Sequence, residues 1–461
     1  MRTLIRGGTV VTAGGAVRSD VLVVGERIAA VADGLDLPAE RVIDAAGRYV
    51  LPGGVDVHTH MGLESAGTVA SDDFATGTAA AAWGGTTTIV DYAGHDHGEP
   101  LRQGLQRWMA RAEGRACIDY GFHLMVREVD DRVLGEMDAL VDEGVTSFKL
   151  FMAYPGVYMV DDAAIFRVLD RATGNGALTV LHAENGGLID LLVARNLARG
   201  RTAPLWHGLS RPASLEGEAT ARAIALAEVA GAPVHIAHLS AAPALEAVHR
   251  ARERGVAASA ETCPQYLYLS LDDLDRPGFE GAKYVCSPPL RPRRHQHALW
   301  EGLRVGDLQV VATDHCPFNF HGQKELGRGS FARIPNGLPG VEERVTLLFQ
   351  GVLRGRIGLE RFVDLVATAP AKLFGLYPRK GTIAPGSDAD IVVFDPGVER
   401  TLQAATHHMN VDYSCYEGMR VRGAPELVMQ RGQVLVEGGG FKGRPGAGRF
   451  LPRSRPAAPS P

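Results

Sequence analysis

The sequence predicts an α/β protein, a (β/α)8 barrel of the TIM type with a discontinuous small β-sandwich domain drawn from both chain ends. Eight short apolar runs rich in β-formers alternate with stretches of helical period. The two ends share a different texture, short strands broken by Gly, Pro and Asp. Polar residues able to do chemistry recur at the C-terminal ends of the eight runs, where barrels of this kind carry their sites.

Residues 1–53 read as strands and turns in "TLIRGGTVVT", "VRSDVLVVG", "ERIAAVA" and "RVIDAAGRYVLPG", the first part of the sandwich. Residues 54–378 carry the barrel, with strands at "GVDVHTH", "TTTIVDY", "IDYGFHLMV", "TSFKLF", "LTVLHAEN", "PVHIAHLS", "VAASAETCP" and "LQVVATDHCP". Between them "SDDFATGTAAAAWGG" opens a helix at Ser71 with acids near its start. "APALEAVHRARERG" closes one with arginines and Gly255, as capping and the helix dipole favour. Residues 379–440, with "GTIAPGSDADIVVFDP" and "APELVMQRGQVLVEGG", supply the second part of the sandwich. Residues 441–461 are rich in Pro, Gly and Ser and have little to bury, so they read as an extended tail unless a neighbouring subunit orders them.

The chain has 461 residues, 45% hydrophobic and 22% charged, which suits one large domain plus a smaller one. Net charge is −5, and the only basic run, "LRPRRH", is short, so neither nucleic acid nor an anionic membrane is expected as a partner. Five cysteines lie scattered without CxxC spacing, an odd number that excludes a complete disulfide framework and fits a reducing cytoplasm. The N-terminus reads as neither signal nor transit peptide, and no segment approaches the ~20 apolar residues of a membrane span.

His58 and His60 stand two apart at the end of the first run, so they point to one side of a strand, with Asp56 if that side is inward. Alone, such a pair more often closes a strand than binds a metal. His182, His238 and Asp314 end the fifth, sixth and eighth runs, and their convergence turns the reading towards a metal site. Imidazole and carboxylate ligands suit Zn, Mn, Co or Fe. Ligands on opposite walls could serve two ions, which need a bridging group that Glu184 and Glu261 are less well placed to supply. Lys149, at the end of the fourth run, is costly inside a barrel as a bare cation.

The motifs "GGVDVHTH", "SFKLFMAYPG", "HAEN", "HIAHLSA", "ETCPQYL", "YVCSPPLR", "ATDHCPFNF" and "IPNGLPGVE" resemble those of the cyclic amidohydrolases, the dihydropyrimidinase and hydantoinase branch, over nearly the whole chain. The resemblance implies two divalent metal ions, zinc foremost, and an N6-carboxylysine at Lys149 that bridges them. It implies that His58, His60 and Asp314 hold one ion and His182 and His238 the other. Tyr154 is then a hydrogen-bond donor to the developing oxyanion, Asp314 the base and then the acid, and Ser287 and Asn336 the residues that hold the substrate's imide through backbone groups. The implied partner is a small cyclic amide, whose ring opens to an N-carbamoyl amino acid, and the implied assembly is a homotetramer.

Allantoinase and dihydroorotase share this scaffold. Dihydroorotase-like proteins follow the first histidine pair with an arginine, whereas here Met61, Gly62 and Leu63 follow, which argues against that substrate. A non-catalytic scaffold related to dihydropyrimidinase would lack metal ligands, and the set here is complete. His95 and His97 suggest a third metal, but surface loop histidines are the commoner case.

Overall fold

The structure, a computed structural model, describes residues 1–455. Eight parallel strands form one sheet in chain order: Gly54–Thr59, Thr86–Ala93, Asp119–Met125, Ser147–Phe151, Leu178–His182, Val234–Ile236, Ala258–Thr262 and Val310–Val311. They are the eight runs read from the sequence. Strands covered on both faces need apolar residues at nearly every position, which is why the runs are continuous rather than alternating. The sheet closes beyond the last strand, where Thr59 pairs with His315 and His60 N donates to His315 O at 2.9 Å. At the entrance to the first strand a Cβ on Gly53 would lie 2.1 Å from Thr87 Oγ1, so only glycine fits.

The helix after the first strand, Phe74–Trp83, begins two residues later than the sequence suggests. Its cap is Asp73, whose Oδ1 accepts from Ala75 N at 2.8 Å and Thr76 N at 3.0 Å, while Thr76 Oγ1 accepts from Asp73 N at 3.1 Å. Ser71 instead donates to Pro317 O at 3.3 Å. The reciprocal pair satisfies more orphan donors than a lone serine could, and so fixes the start. The helix Ala242–Glu253 ends as read, with Arg250 and Arg252 in its last turn and Gly255 at φ +82°.

The chain ends meet in one mixed sheet of nine strands. Tyr49–Pro52 pairs antiparallel with Ile391–Thr401, joining the N-terminal strands to the C-terminal ones. The sheet is one continuous hydrogen-bonded network, with Arg41–Asp44 pairing to the chain's first strand off the main path. It wraps a core of its own in which Ile5, Val21 and Ile28 share an apolar cluster with Val393, Leu427 and Met429.

The tail departs from expectation. Leu451 is fully buried, packed in one cluster with Phe374 and barrel-strand residues such as Val180 and Val310. Its N–H donates to Tyr120 O at 2.7 Å, and Arg453 buries its guanidinium on Phe122 O and Ser147 Oγ. The socket is made by the barrel, so the tail's own composition does not reveal it. Residues 456–461 of the expected tail lie outside the described residues. Among the described residues no helix is long and apolar enough to cross a membrane.

Candidate metal centre and active site

At the carboxyl end of the barrel lies a cavity of about 400 Å³. All nine residues singled out in the sequence line it: His58, His60, Lys149, Tyr154, His182, His238, Ser287, Asp314 and Asn336. They form two groups of donors. In the first, Asp314 Oδ1 lies 3.2 Å from His58 Nε2 and 3.1 Å from His60 Nε2, and one ligand atom from each residue lies within 4.8 Å of the others. In the second, His182 Nδ1 faces His238 Nε2 at 3.0 Å. The rings of His58 and His238 stand 5.2 Å apart, so the groups adjoin.

Carboxylates behind the histidines set which nitrogen faces inward. Glu261, fully buried, accepts from His58 Nδ1 and from His235 Nε2, the latter at 3.3 Å. Burial alone would raise its pKa, but the histidines hold it well below the usual carboxylate value. An ionised carboxylate only accepts, so the proton sits on Nδ1 and leaves the Nε2 lone pair free. Glu184 does the same for His182. It accepts from Nε2 at 2.9 Å and pairs with Arg211 at 2.9 Å, and these partners outweigh its burial to bring it to about 2. His58, His182 and His238 are pushed down by desolvation towards the neutral form that binds metal.

Lys149 is 1% exposed, and its Nζ has no hydrogen-bond partner among the described residues. It lies 4.9 Å from the centre of the Tyr92 ring, which in turn packs on His58 and His60. Burial lowers its pKa to about 8. His60 Nδ1 and His238 Nδ1 are likewise buried without partners among the described residues. Donors left bare in a folded interior carry a penalty, and a cluster of nitrogen and oxygen atoms converging on a cavity is where a metal relieves it. The donor set fits divalent ions of the Zn, Mn, Co and Fe group.

Tyr154 stands at φ +67° just after the fourth strand, with its side chain facing those of Ser287 and Asn336. Burial raises its phenol to about 12, so it stays a donor. Among the described residues five non-glycine residues have positive φ, and four of them line this cavity: Ala66, Tyr154, His238 and Asp314. Strain concentrated so tightly marks geometry held for a purpose other than folding.

Asp56 does not reach the cavity. It accepts from Thr313 Oγ1 at 2.6 Å and ties the first strand to the loop after the eighth, and just beyond it the first strand's pairing with the second shifts register. His95 and His97 stay apart from the site. His95 is buried on Glu99 O and the N–H of Arg127, and His97 is exposed beside Glu128. Sequence reasoning missed Arg211 and Tyr92, and gave Glu261 and Glu184 no orienting role. A carboxylate two residues after His182 was the one visible signal.

A parallel barrel with histidine and carboxylate ligands at its carboxyl end defines a metal-binding enzyme fold. Residues 49–435 match the Amidohydrolase family, and the chain belongs to it. It is 58% identical to a D-hydantoinase of Streptomyces coelicolor, covering 98% of each chain. It is 51% identical to a D-hydantoinase of Geobacillus stearothermophilus, over 99% of this chain and 97% of the other. Among solved structures, a dihydropyrimidinase from Brevibacillus agri superposes with a TM-score of 0.99 at 52% identity, covering 100% of both chains.

Proposed function

We propose that this enzyme is a binuclear metal-dependent cyclic amidohydrolase that opens dihydropyrimidine or 5-substituted hydantoin rings to N-carbamoyl amino acids. The observation that carries the reading is the bare Lys149 amine in the same cavity as two groups of inward-turned ligands. His58, His60 and Asp314 would hold one ion, His182 and His238 the other, zinc in each, with Lys149 between them as its carbamate. A neutral amine is the form that would add CO2, its nitrogen giving up a proton as the N–C bond forms, and the carbamate would then supply oxygen donors to the ions. When bound, the ions acidify a water molecule and polarise the scissile carbonyl.

The remaining work falls to the chain. Asp314 is held ionised by the histidines beside it despite its burial, so it can accept the proton of the attacking water. As the ring C–N bond breaks it returns that proton to the leaving nitrogen, so one carboxylate acts as base and then as acid. Tyr154 donates its hydroxyl proton in a hydrogen bond to the carbonyl oxygen as charge grows there, a contribution of ~10² to 10³ in rate. The main chain at Ser287 and Asn336 holds the imide edge of the ring.

Leu63, Phe151, Val157, Tyr158, Phe331 and Ile334 give the cavity an apolar wall with room beyond a bare ring, which supports a bulky apolar substituent. Relatives named D-hydantoinase support D-stereopreference. We also infer a hydrolase barrel at 54–378 flanked by sandwich parts at 1–53 and 379–440 and a tail at 441–461, a homotetrameric assembly, and a cytoplasmic location. All five cysteines are buried free thiols, which supports the last.

The test is turnover of dihydrouracil, 5-substituted hydantoins, allantoin and dihydroorotate by zinc-loaded enzyme. Opening of the first two, with D-enantiomers preferred, is the expected result. Turnover confined to dihydroorotate, or absent for all four, overturns the reading.

A further inference from the structure

Lys324 is a fully buried cation that belongs to neither the metal-facing groups nor an ion pair among the described residues. Its Nζ donates three hydrogen bonds, all to main-chain carbonyls: Val285 at 2.9 Å, Pro335 at 2.7 Å and Gly337 at 2.8 Å. Pro335 and Gly337 bracket Asn336, and Val285 stands two residues before Ser287. The ammonium therefore gathers the two segments that line one wall of the cavity.

Other contacts make the same junction rigid. Gly337 N donates to Val285 O at 3.0 Å, so that carbonyl serves both the lysine and the facing segment. Cys316 N donates to Leu338 O at 3.0 Å, which ties the Asn336 segment to the chain just beyond Asp314. A Cβ on Gly337 would lie 2.2 Å from Cys316 O, at a φ of +150°. His207 Nε2 donates to Cys286 O at 2.8 Å, holding the Ser287 segment from its other side.

Stability alone does not call for a lysine here. The groups around Nζ besides the carbonyls are the neutral thiols of Cys286, Cys316 and Cys415 and the Phe318 ring. Burying an ammonium without a carboxylate is costly, and an apolar side chain of similar volume is commonly as stable or more so. What an ammonium offers is three donors spreading from one atom, which the planar fork of arginine does not reproduce. With Pro335 O and Gly337 O both held on Nζ, the main chain of Asn336 between them is fixed at the cavity that Asn336 lines.

We propose that Lys324 is a positioning residue for ring binding, its ammonium setting the main chain of Asn336 and Ser287 to grip the imide edge of a cyclic amide. This rests on the ring-opening function proposed above. Misplacing a bound group by about 1 Å costs on the order of 10²-fold.

The experiment compares wild-type enzyme with Lys324→Met and Lys324→Gln, all zinc-loaded, for KM and kcat on a hydantoin, for bound zinc, and for inhibition by acetohydroxamate, which needs only the metals. The expected result is a KM raised on the order of 10²-fold with zinc content and acetohydroxamate inhibition unchanged. A wild-type KM in either variant overturns the proposal. So does a parallel loss of zinc and acetohydroxamate affinity, which a general structural role would give. Wild-type enzyme that opens no ring overturns the ring-opening function and the proposal with it, whereas a wild-type KM in the variants of a ring-opening enzyme overturns the proposal alone. Should neither variant fold, a crystal structure of wild-type holoenzyme with hydantoin decides: a ring bonded to the main chain of Ser287 and Asn336 supports the proposal, and a ring held elsewhere overturns it.

Discussion

Lys149 and Lys380 are both 1% exposed, yet their surroundings have opposite consequences. Lys149, in the metal-facing cavity, has no hydrogen-bond partner among the described residues, and burial brings it down to about 8. Lys380, where the barrel meets the small sheet, lies 2.7 Å from Asp119, 3.1 Å from Asp388 and 2.7 Å from Asp390. Burial pulls it down as well, but the three carboxylates outweigh that and raise it. Arg431 and Arg449 extend the network to the C-terminal segment through Asp119 and Glu26. A buried lysine whose charge is answered holds a fold together. One whose charge is unanswered is held ready for chemistry, at some cost to the fold.

The largest effect expected from this contrast is on activity. Lys149→Ala should lower kcat by roughly 10³-fold or more, since a bridge between two ions is worth several kcal/mol and each 1.36 kcal/mol is tenfold. Added short carboxylic acids should restore part of the rate. Near-normal turnover in their absence would remove the basis for a carbamate at Lys149.

Next comes Lys380→Met, which leaves buried carboxylates without their lysine and should destabilise the protein by about 3–5 kcal/mol. Chemical denaturation measures this, with activity per folded molecule little changed. A loss below about 1 kcal/mol would mean that Arg431 alone suffices to answer the cluster.

The same variant carries a pH test. In wild type Lys380 is raised, so its contribution is present below the ordinary lysine value and is lost as pH rises through the folded one. Asp388 is lowered, burial notwithstanding, chiefly by Lys380, so its contribution is lost as pH falls below the carboxylate range. Without the lysine, burial and mutual repulsion raise the carboxyl groups, and the folded variant then binds more protons than the unfolded chain. The melting-temperature gap between wild type and Lys380→Met should therefore narrow on going from pH 8 to pH 5. A gap that widens would show that the carboxylates are not the source of the loss.

The setting of Lys380 could not be read from its own neighbourhood in the sequence, whereas Lys149 was legible as a lysine at the end of a barrel strand. The eight strands were legible because buried parallel strands are rich in apolar and β-branched residues and alternate here with stretches of helical period. Tyr154, Ser287 and Asn336 were reached only through the resemblance of their motifs, while His58, His60, Lys149, His182, His238 and Asp314 were legible because they fall where those strands end. Glu261, His123 and His235 were not, since a polar residue inside an apolar run says nothing of which strands flank it. In the fold His123 finds Ser147 and His235 finds Ser259, each from the adjacent strand. Leu451 and Arg453 look like tail residues for the same reason, because their burial depends on a socket built between 306 and 331 residues earlier. The helix at Phe74 began at Asp73 and not Ser71 because Thr76 completes a reciprocal cap that a list of cap formers cannot rank.

The smallest effect is also the most discriminating. Lys149→Met in metal-free protein replaces an unpartnered ammonium with an apolar chain of similar length, beside the Tyr92 and Phe151 rings in a cavity that Phe151 and Met125 help to wall. It should leave stability unchanged or raise it by about 1 kcal/mol, the opposite sign to Lys380→Met, because no carboxylate loses a hydrogen-bonded partner. Thermal unfolding of both variants after exhaustive chelation measures the two signs side by side. If Lys149→Met is instead destabilising by as much as Lys380→Met, the Lys149 ammonium is answered in the folded metal-free protein by Asp314 and Glu261, the carboxylates whose charges act on it. The distinction between the two lysines would then be one of degree. A neutral or positive change leaves the metal and the carbamate as what the unanswered amine is kept for.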